Sequence, residues 1–275
     1  DGYEAARVAG TMKELILDRG VFAIVGNVGT PTSAVAAPFA SQNKTVFFGA
    51  FTGASLLRQD PPDRYVFNYR ASYKEETAKS VKFLLDVKRF APHQIVVFAQ
   101  EDSYGDAGFE GVTKALRAQG HADVETLRVG YKRNTVDVDA AVASVMKYVV
   151  RNTDLSVATG SSAAEQAQKR PVKAIVMIAT YRAAAKFIQR IHSFPRMQNT
   201  LFMNVSFVGS ETLAEELKGA NPGLCSNVYV TQVVPPFDSG ATGVLRYRQQ
   251  LAMYQSQAQP GFVSLEGFIV GSIFV

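Results

Sequence analysis

Small hydroxyl residues stand at one turn of the sequence where they could bind a negatively charged group. Residues 26–38, "GNVGTPTSAVAAP", follow the apolar run "VFAIV", and among them Gly29, Thr30 and Ser33 stand where a helix is expected to begin. The first backbone N–H groups of a helix lack partners within it, and the helix dipole places positive charge there. The turn therefore suits one phosphate or one carboxylate group. The alternative is that Thr30 only caps the helix.

The spacing of the glycines argues against a nucleotide. A dinucleotide fingerprint reads G-x-G-x-x-G, and counting from Gly26 the chain has Val28 and Pro31 at the second and third glycine positions. A P-loop ends in Gly-Lys-Ser/Thr, and no lysine lies between Gly26 and Asn43. What remains is a helix N-terminus that suits a single small anion.

A second loop of similar character follows the next apolar run. In "FFGAFTGASLL", Ala50 and Thr52 come directly after a predicted strand, and the small residues around them leave room above the strand end. A ligand loop and an ordinary strand-to-helix turn both remain open for this segment.

Acidic and aromatic residues follow later apolar runs. Glu101 and Asp102 in "AQEDSYGDAG" are adjacent, so their side chains diverge and make a poor general acid/base pair. One of them could pair with a ligand ammonium, or they could cap the helix predicted at 104–119. Tyr104 and Tyr181 stand at strand ends, where a ring could cover an apolar ligand or simply pack on the surface.

Patterns of nucleophilic or metal chemistry are missing from the sequence. There is no G-x-S-x-G elbow, and Cys225 is the only cysteine, which excludes an internal disulfide and a site of paired thiolates. His93, His121 and His192 lie far apart, without a metal-ligand spacing such as H-E-x-x-H. We therefore expect no catalytic residues, no metal and no cofactor.

The charge distribution argues against a nucleic-acid partner. The formal net charge is +5, but Lys and Arg are scattered and form no basic stripe with interleaved aromatic residues. No apolar run reaches the roughly 18 residues that a membrane-spanning helix needs.

Short apolar runs alternate with amphipathic stretches along the whole chain. This order predicts an α/β fold in which helices cover both faces of a parallel sheet and ligands bind beyond the carboxyl ends of the strands. The predicted strands are 21–26, 45–50, 94–100, 122–131, 172–180, 200–210 and 227–234, and the predicted helices are 3–18, 31–43, 73–90, 107–120, 137–150, 181–194, 211–219 and 262–275.

Two irregular segments divide the chain. "PPDRYVFNYRASY" and the Pro- and Gly-rich "TQVVPPFDSGATG" interrupt the α/β order, so we expect the chain to cross between domains there. This predicts a first lobe of residues 1–69 with 234–275 and a second lobe of residues 70–233. The small polar residues 156–168, "SVATGSSAAEQAQ", are predicted to be a loop.

Several segments in order resemble the type I periplasmic binding proteins, in particular the leucine/branched-chain amino-acid receptor group that serves ABC transporters. They include "VFAIVGNVGTPTSAVAAPFASQNKTVFFGAFTGASLL", "YVFNYRASYKEETAKSVKFLL", "QIVVFAQEDSYGDAGFEGV" and "FMNVSFVGSETLAEELKG". The resemblance implies a two-lobed clamshell, each lobe a parallel sheet sandwiched by helices, that closes about a hinge over its ligand.

The resemblance also implies roles for particular residues. In amino-acid-binding members a hydroxyl and amides of the first loop hold the ligand carboxylate, and the second loop and an acid of the other lobe hold the ammonium. By position, Thr30 matches the first hydroxyl, Ala50 and Thr52 match the second loop, and Tyr181 matches an aromatic residue of the far lobe.

One position departs from the family pattern. Where amino-acid binders have a glutamate after "FMGP", this chain has Ser206 in "FMNVS". A buried ammonium without a counter-charge costs several kcal/mol. Either Glu101 or Asp102 supplies that charge, or the ligand lacks an amine.

The function that the resemblance implies is extracytoplasmic binding of a small solute, an apolar or branched-chain amino acid or a related small carboxylate. The expected partner is the membrane permease of an ABC importer, and the expected protein is a monomer, periplasmic or lipid-anchored at the cell surface. The alternative is a ligand-binding sensor domain of a receptor or kinase with the same fold. A Rossmann-type enzyme would need a nucleotide fingerprint or a nucleophile–base pair.

The resemblance further implies that an N-terminal β-α-β segment and a C-terminal part of the first lobe lie outside residues 1–275. A missing strand would leave sheet edges and apolar surface exposed. We therefore expect residues 1–275, expressed alone, not to form a well-folded first lobe. A cooperative thermal melt together with native-like ligand affinity of this fragment would contradict the expectation.

Overall fold

A computed structural model describes residues 1–154 and 171–275, which form two compact units. Unit 1 contains residues 1–72 and 232–275, and unit 2 contains residues 73–231. The predicted loop at 156–168 lies outside the described residues. Each unit has its own parallel sheet with flanking helices, which confirms the predicted α/β class.

The regular elements follow the alternating order expected from the sequence. The helices of the described residues are α1 Ala5–Lys13, α2 Thr30–Gln42, α3 Tyr73–Lys82, α4 Ser103–Ala118, α5 Asp139–Asp154, α6 Tyr181–His192, α7 Ser210–Ala220, α8 Thr242–Tyr254 and α9 Phe262–Phe274. The strands are β1 Ala23–Val25, β2 Val46–Phe48, β3 Val66–Phe67, β4 Ile95–Gln100, β5 Arg128–Tyr131, β6 Ala174–Ile178, β7 Leu201–Asn204 and β8 Val228–Val230. Single π-helical turns, Glu14–Asp18 and Phe83–Val87, continue α1 and α3.

The sheet of unit 1 has three parallel strands in the order β1-β2-β3. Helices α1 and α2 pack on it through a core that includes Val8, Met12, Ala36 and Phe47. Val8 and Met12 are four positions apart, so they lie on the same face of α1. Strand β1 is an edge strand of this sheet, and Phe22 just before it is 75% exposed.

Unit 1 contains two elements that the sequence analysis did not predict. Strand β3 lies in the segment expected to be irregular, where it pairs with β2 over two residues. Helix α8 follows the Pro- and Gly-rich segment, and Val244 and Tyr247 on it pack with Leu265 of α9. The signal for α8 was weak because only Val244 and Tyr247 of its apolar residues are buried, while others such as Leu245, Met253 and Tyr254 are exposed.

Over its described residues, unit 2 has a sheet of five parallel strands in the order β5-β4-β6-β7-β8. Alternate residues such as Phe98, Met177 and Phe202 share one core with helices α5, α6 and α7. The intervening residues face the other side, where α4 packs on Ile178. This two-sided burial explains why β4 and β6 read as continuous apolar runs.

Two strands of unit 2 are shorter in the structure than predicted from the sequence. The strand predicted at 122–131 begins only at Arg128, because Asp123 and Glu125 interrupt its apolar run. The strand predicted at 200–210 ends at Asn204, and Ser206–Val208 form a 3-10 turn. Val208 of that turn is still buried in the core of unit 2, and Phe207 is half-buried with its ring against that of Tyr104.

Helix α4 approaches the sheet and α3 closely because three of its glycines lie on one face. A Cβ at Gly105 would lie 1.9 Å from the Gln100 carbonyl oxygen, and one at Gly108 would lie 2.2 Å from Ile178. A Cβ at Gly111 would lie 2.3 Å from the Thr77 hydroxyl. The spacing of three residues aligns these positions along the helix.

We expect Gly105→Ala to lower the free energy of unfolding by about 1–3 kcal/mol or more, since a backbone carbonyl cannot rotate away as a side chain can. Urea unfolding followed by circular dichroism measures the change. The matched control is Gly219→Ala in α7, where a Cβ would meet nothing within 4 Å. The control should be neutral or stabilising by up to about 1 kcal/mol. Equal effects of the two substitutions would contradict the close approach of α4.

Candidate functional site

The two hydroxyl residues predicted in separate loops of unit 1 meet in the structure. Thr30 opens α2 and Thr52 follows β2, and their Oγ1 atoms lie 2.7 Å apart although the residues are 22 positions apart in the chain. Both side chains are buried, with at most 1% of their surface exposed. The pair lies at the carboxyl end of the sheet, as expected of a ligand site in an α/β fold.

The backbone of the two loops is paired directly above the strands. The Gly29 N–H donates to the Phe51 carbonyl at 3.1 Å, and the Phe51 N–H donates to the Asn27 carbonyl at 2.7 Å. Gly29 has φ +96°, and a Cβ there would lie 2.1 Å from the ring of Tyr3. The contribution of Gly29 is therefore conformational, because only glycine fits this backbone and this contact.

The alternative that Thr30 caps α2 is wrong. The N-cap is Gly29, without a side-chain cap hydrogen bond, and the hydroxyl of Thr30 contacts Thr52 instead. The Ser33 hydroxyl accepts from the Asn27 side-chain amide at 2.8 Å. The Ala50 carbonyl accepts from the Thr52 N–H at 2.9 Å, so Ala50 shapes the second loop through its backbone.

A buried ion pair that sequence reasoning missed lies beside the second loop. Arg70 Nε lies 3.1 Å from Glu266 Oε1, and the Arg70 guanidinium lies 4.3 Å from the ring centre of Phe51. Burial, together with the charge of Glu266, raises the pKa of Tyr69. A glutamate within the apolar stretch "FVSLEGFIV" was the available signal, because a charge in a buried helix needs a partner.

In unit 2, Asp102 is held by its own neighbours. It is the N-cap of α4, where its carboxylate accepts from the Tyr104 N–H at 3.0 Å, and it also accepts from the Gln100 side chain at 2.7 Å and from Arg133 at 3.3 Å. The capping alternative is thus confirmed for Asp102. Glu101 is exposed and lies beside Gly130 of the edge strand β5.

A second polar contact joins three strand ends of the same sheet. The Tyr131 hydroxyl donates to Gln100 Oε1 at 3.0 Å and accepts from the Thr180 N–H at 2.9 Å. Burial raises the pKa of Tyr131 to about 12. Tyr181 follows Thr180 as the first residue of α6, half-buried, with its ring centre 5.7 Å from the Arg182 guanidinium.

Tyr104 packs against other aromatic rings, but it does so in the interior and not at the surface, where the alternative had placed it. Its ring is fully buried, with the ring centre 5.3 Å from that of Tyr73 and 4.7 Å from that of Phe207. Its hydroxyl lies 3.4 Å from the Ala179 carbonyl, to which it donates.

Ser206 meets an acid that the sequence analysis did not identify. The Ser206 N–H donates to Glu76 Oε2 at 2.8 Å, and the Thr231 hydroxyl donates to the same oxygen. Glu76 lies in the first turn of α3 and is buried. Its partners lie 130 and 155 residues further along the chain, so no local pattern could have placed them together.

The described part of the chain has neither a cluster of metal-ligating side chains nor a helix that could cross a membrane. Residues 1–154 and 171–275 contain no cluster of three or more His, Cys, Asp or Glu side chains that could hold a metal ion. Over the same residues, every helix is too short or too polar to cross a lipid bilayer.

A family model described as periplasmic binding protein matches residues 1–275. Among solved structures, a possible leucine/isoleucine/valine-binding protein from Rhodopirellula baltica SH 1 is 41% identical, with a TM-score of 0.83 over 99% of this chain and 66% of that chain. A leucine-binding protein from Thermotoga maritima MSB8 is 16% identical, with a TM-score of 0.74 over 99% of this chain and 67% of that one.

A third structure is an ABC transporter solute-binding protein from R. palustris in complex with benzoate. It is 13% identical, with a TM-score of 0.72 over 98% of this chain and 65% of that chain. The chain thus spans about two thirds of the length of these proteins, with 66% for the Rhodopirellula protein. A comparison with curated proteins gave no match.

We expect the stability that the Tyr131 hydroxyl contributes to be lost between pH 10 and about 12. The pKa of this phenol rises from 10.0 to about 12 on folding, so its contribution is complete below pH 10 and declines as pH rises through the folded value. The difference in free energy of unfolding between wild type and Tyr131→Phe should therefore be constant up to pH 10 and shrink above it. Urea unfolding at pH 9, 10.5 and 11.5 measures it.

The matched control for this measurement is Tyr254→Phe, at a side chain that is 70% exposed. This substitution should change the free energy of unfolding little at pH 9, because it removes a hydroxyl from an exposed ring. A Tyr131→Phe difference that stays constant from pH 9 to pH 11.5 would contradict the inferred cost of ionising the buried phenol.

Proposed function

The chain belongs to the periplasmic binding protein family, and from this premise we propose that it binds a small carboxylate-bearing solute outside the cytoplasm. We propose that it delivers this solute to the membrane permease of an ABC importer, as a binding protein and not as an enzyme. Binding is coupled to hinge closure in this proposal, with the ligand shifting the population between conformations.

The observation that carries the proposal is the buried hydroxyl pair of Thr30 and Thr52, with Oγ1 atoms 2.7 Å apart. Each hydroxyl has one hydrogen to donate, and in the contact between them only one of the two is used. When Thr52 is the donor in this contact, the Thr30 hydroxyl keeps its hydrogen and can donate it to a carboxylate oxygen. The first turn of α2 adds backbone N–H groups and the positive end of a helix dipole at the same place.

The buried charges beside the second loop balance each other, so they do not oppose an anionic ligand group. Arg70 is buried against Phe51, the residue before Thr52, and its charge is offset by Glu266. The ion pair therefore adds no net charge beside the loop that presents Thr52.

The carboxylate is the part of the ligand that the comparisons support best. The Rhodopirellula protein is a possible binder of leucine, isoleucine and valine, whereas the R. palustris protein holds benzoate, which has no amine. Both kinds of ligand share a carboxylate. We propose an apolar amino acid, branched-chain in the first place, or a related small carboxylate.

We expect isothermal titration calorimetry of the protein to detect saturable binding of one ligand from a panel of apolar amino acids and their amine-free analogues. Thr30→Val and Thr52→Val should each weaken binding by roughly 10-fold, the size of one hydrogen bond to a charged group. These substitutions keep the shape of the side chain and remove only the hydroxyl.

The matched control is Thr45→Val. Thr45 is also buried, but it precedes β2, at the opposite end of the strand that leads to Thr52. Its substitution should leave the dissociation constant unchanged. The proposal fails if no carboxylate binds, or if binding is the same in all three variants as in wild type.

A further inference from the structure

Unit 1 contains a pocket that the hydroxyl pair does not use. It has a volume of about 230 Å³ and lies between α2 and the segment that leads from the second loop to β3. Helix α2 contributes Ala34, Ala37 and Pro38, and the facing segment contributes Leu56, Leu57 and Val66. An apolar cavity of about 150 Å³ can hold benzene, so this pocket is large enough for a small organic molecule.

The pocket combines apolar walls with a backbone acceptor. Ala37 and Leu57 are buried, so they form an apolar floor. Pro38 lies inside α2 and has no N–H. The carbonyl of Ala34, four residues earlier, therefore lacks the donor that a helix normally supplies at this spacing. Because Ala34 and Pro38 are exposed residues of the pocket wall, this carbonyl is open to a donor from outside the helix.

Asp63 brings a negative charge to the same pocket. Its Oδ1 accepts from the Tyr65 N–H and its Oδ2 from the Ser41 hydroxyl, both at 2.8 Å. These donors are neutral, and no Lys or Arg among the described residues forms an ion pair with Asp63. Each carboxylate oxygen can accept a further hydrogen bond. The half-buried carboxylate is thus held in place with its charge unpaired and with acceptor capacity left.

The arginines nearest to Asp63 in the chain contact other groups. The Arg58 guanidinium donates to two backbone carbonyls at 2.8 and 2.7 Å. The Arg64 guanidinium lies 5.9 Å from the ring centre of Tyr65. A cation that balances Asp63 must therefore come from another source.

The charged wall of the pocket and the hydroxyl pair lie at opposite ends of α2. Thr30 is the first residue of this helix, whereas Ser41, which binds Asp63, is in its last turn. The two residues are 11 positions apart, which corresponds to about 16 Å along a helix axis. The pocket is therefore a separate site within unit 1.

We propose that this pocket binds a small apolar amine, with the ammonium group on Asp63 and the hydrocarbon part against Ala37, Leu56 and Leu57. An ammonium group has only donors, which suits the Asp63 carboxylate and the Ala34 carbonyl. A carboxylate would meet the like charge of Asp63. The inference goes beyond the function proposed above and does not rest on it, because the hydroxyl pair offers donors to an anion.

The test compares 3-methylbutylamine with 3-methylbutan-1-ol, which has the same carbon skeleton and no charge. NMR titration of the protein, followed through its backbone amide signals, gives both the dissociation constant and the location. The amine should bind saturably and at least roughly 10-fold more tightly than the alcohol, as expected for a hydrogen bond to a charged group. The shifted signals should include those of Ala37 and Leu57.

Asp63→Asn should abolish the preference for the amine. The side-chain amide can still accept from the Tyr65 N–H and can donate to the Ser41 hydroxyl, but it has no charge. Amine binding should weaken by roughly 10- to 100-fold, with the alcohol little changed. The matched control is Asp18→Asn, the same loss of charge at an exposed residue of unit 1 away from the pocket, which should leave both constants as in wild type.

A second variant tests the location without removing the charge. Ala34→Leu places a larger side chain in the pocket wall at an exposed position, so it should weaken both the amine and the alcohol by at least roughly 10-fold. Its control is Ala6→Leu, at an exposed position of α1 that does not line the pocket, which should change neither constant.

The outcomes keep this inference apart from the proposed function. If the amine does not bind wild type, binds no more tightly than the alcohol, or binds Asp63→Asn or Ala34→Leu as it binds wild type, the inference is wrong. None of these results affects carboxylate binding at the hydroxyl pair. Conversely, a protein that binds the amine in the pocket but binds no carboxylate would support the inference and contradict the proposed function.

Discussion

Parallel strands must leave a sheet with their carboxyl ends at the same edge, and the candidate site depends on this constraint. In unit 1, the parallel register of β1 and β2 brings the two following loops together. The loops then pair through Gly29, Phe51 and Asn27, and Thr30 and Thr52 come within hydrogen-bond distance. In unit 2, the same constraint collects Gln100, Tyr131 and Thr180 from three neighbouring strands into one hydrogen-bonded group. When polar residues stand at the carboxyl ends of parallel strands, this topology therefore brings them together at one edge of the sheet.

Close backbone approach is the second requirement of this architecture. Where a loop or a helix must lie within a few ångströms of another backbone, a Cβ has no space, as at Gly29 in unit 1 and Gly105 in unit 2. Because these glycines have no Cβ, the two backbones can approach each other, and this close approach fixes the positions of the neighbouring hydroxyl and carboxylate groups. Gly105, for example, follows the Asp102 cap and the buried Tyr104 by only a few residues.

Several polar side chains near these sheet edges form hydrogen bonds or ion pairs within their own unit. Asp102 caps a helix and also accepts from a glutamine and an arginine, so its charge is already compensated. Arg70 and Glu266 compensate each other in a buried pair. Glu76 differs because one oxygen is fully engaged while the other has no donor among the described residues.

Local sequence determined the alternation of strands and helices, the two loops of unit 1 and the expectation that Thr30 and Thr52 are functional. These properties depend on hydrophobic periodicity and turn chemistry within a few residues, which can be recognised without the fold. The ends of the strands at Arg128 and Asn204 and the existence of α8 were not predictable in this way, because side-chain packing decided them. Only the tertiary structure decided which acid faces Ser206 and which charge lies beside Phe51. Glu76 and Arg70 find their partners across 130 and more residues, and buried charges choose partners by burial and geometry, which no local pattern encodes.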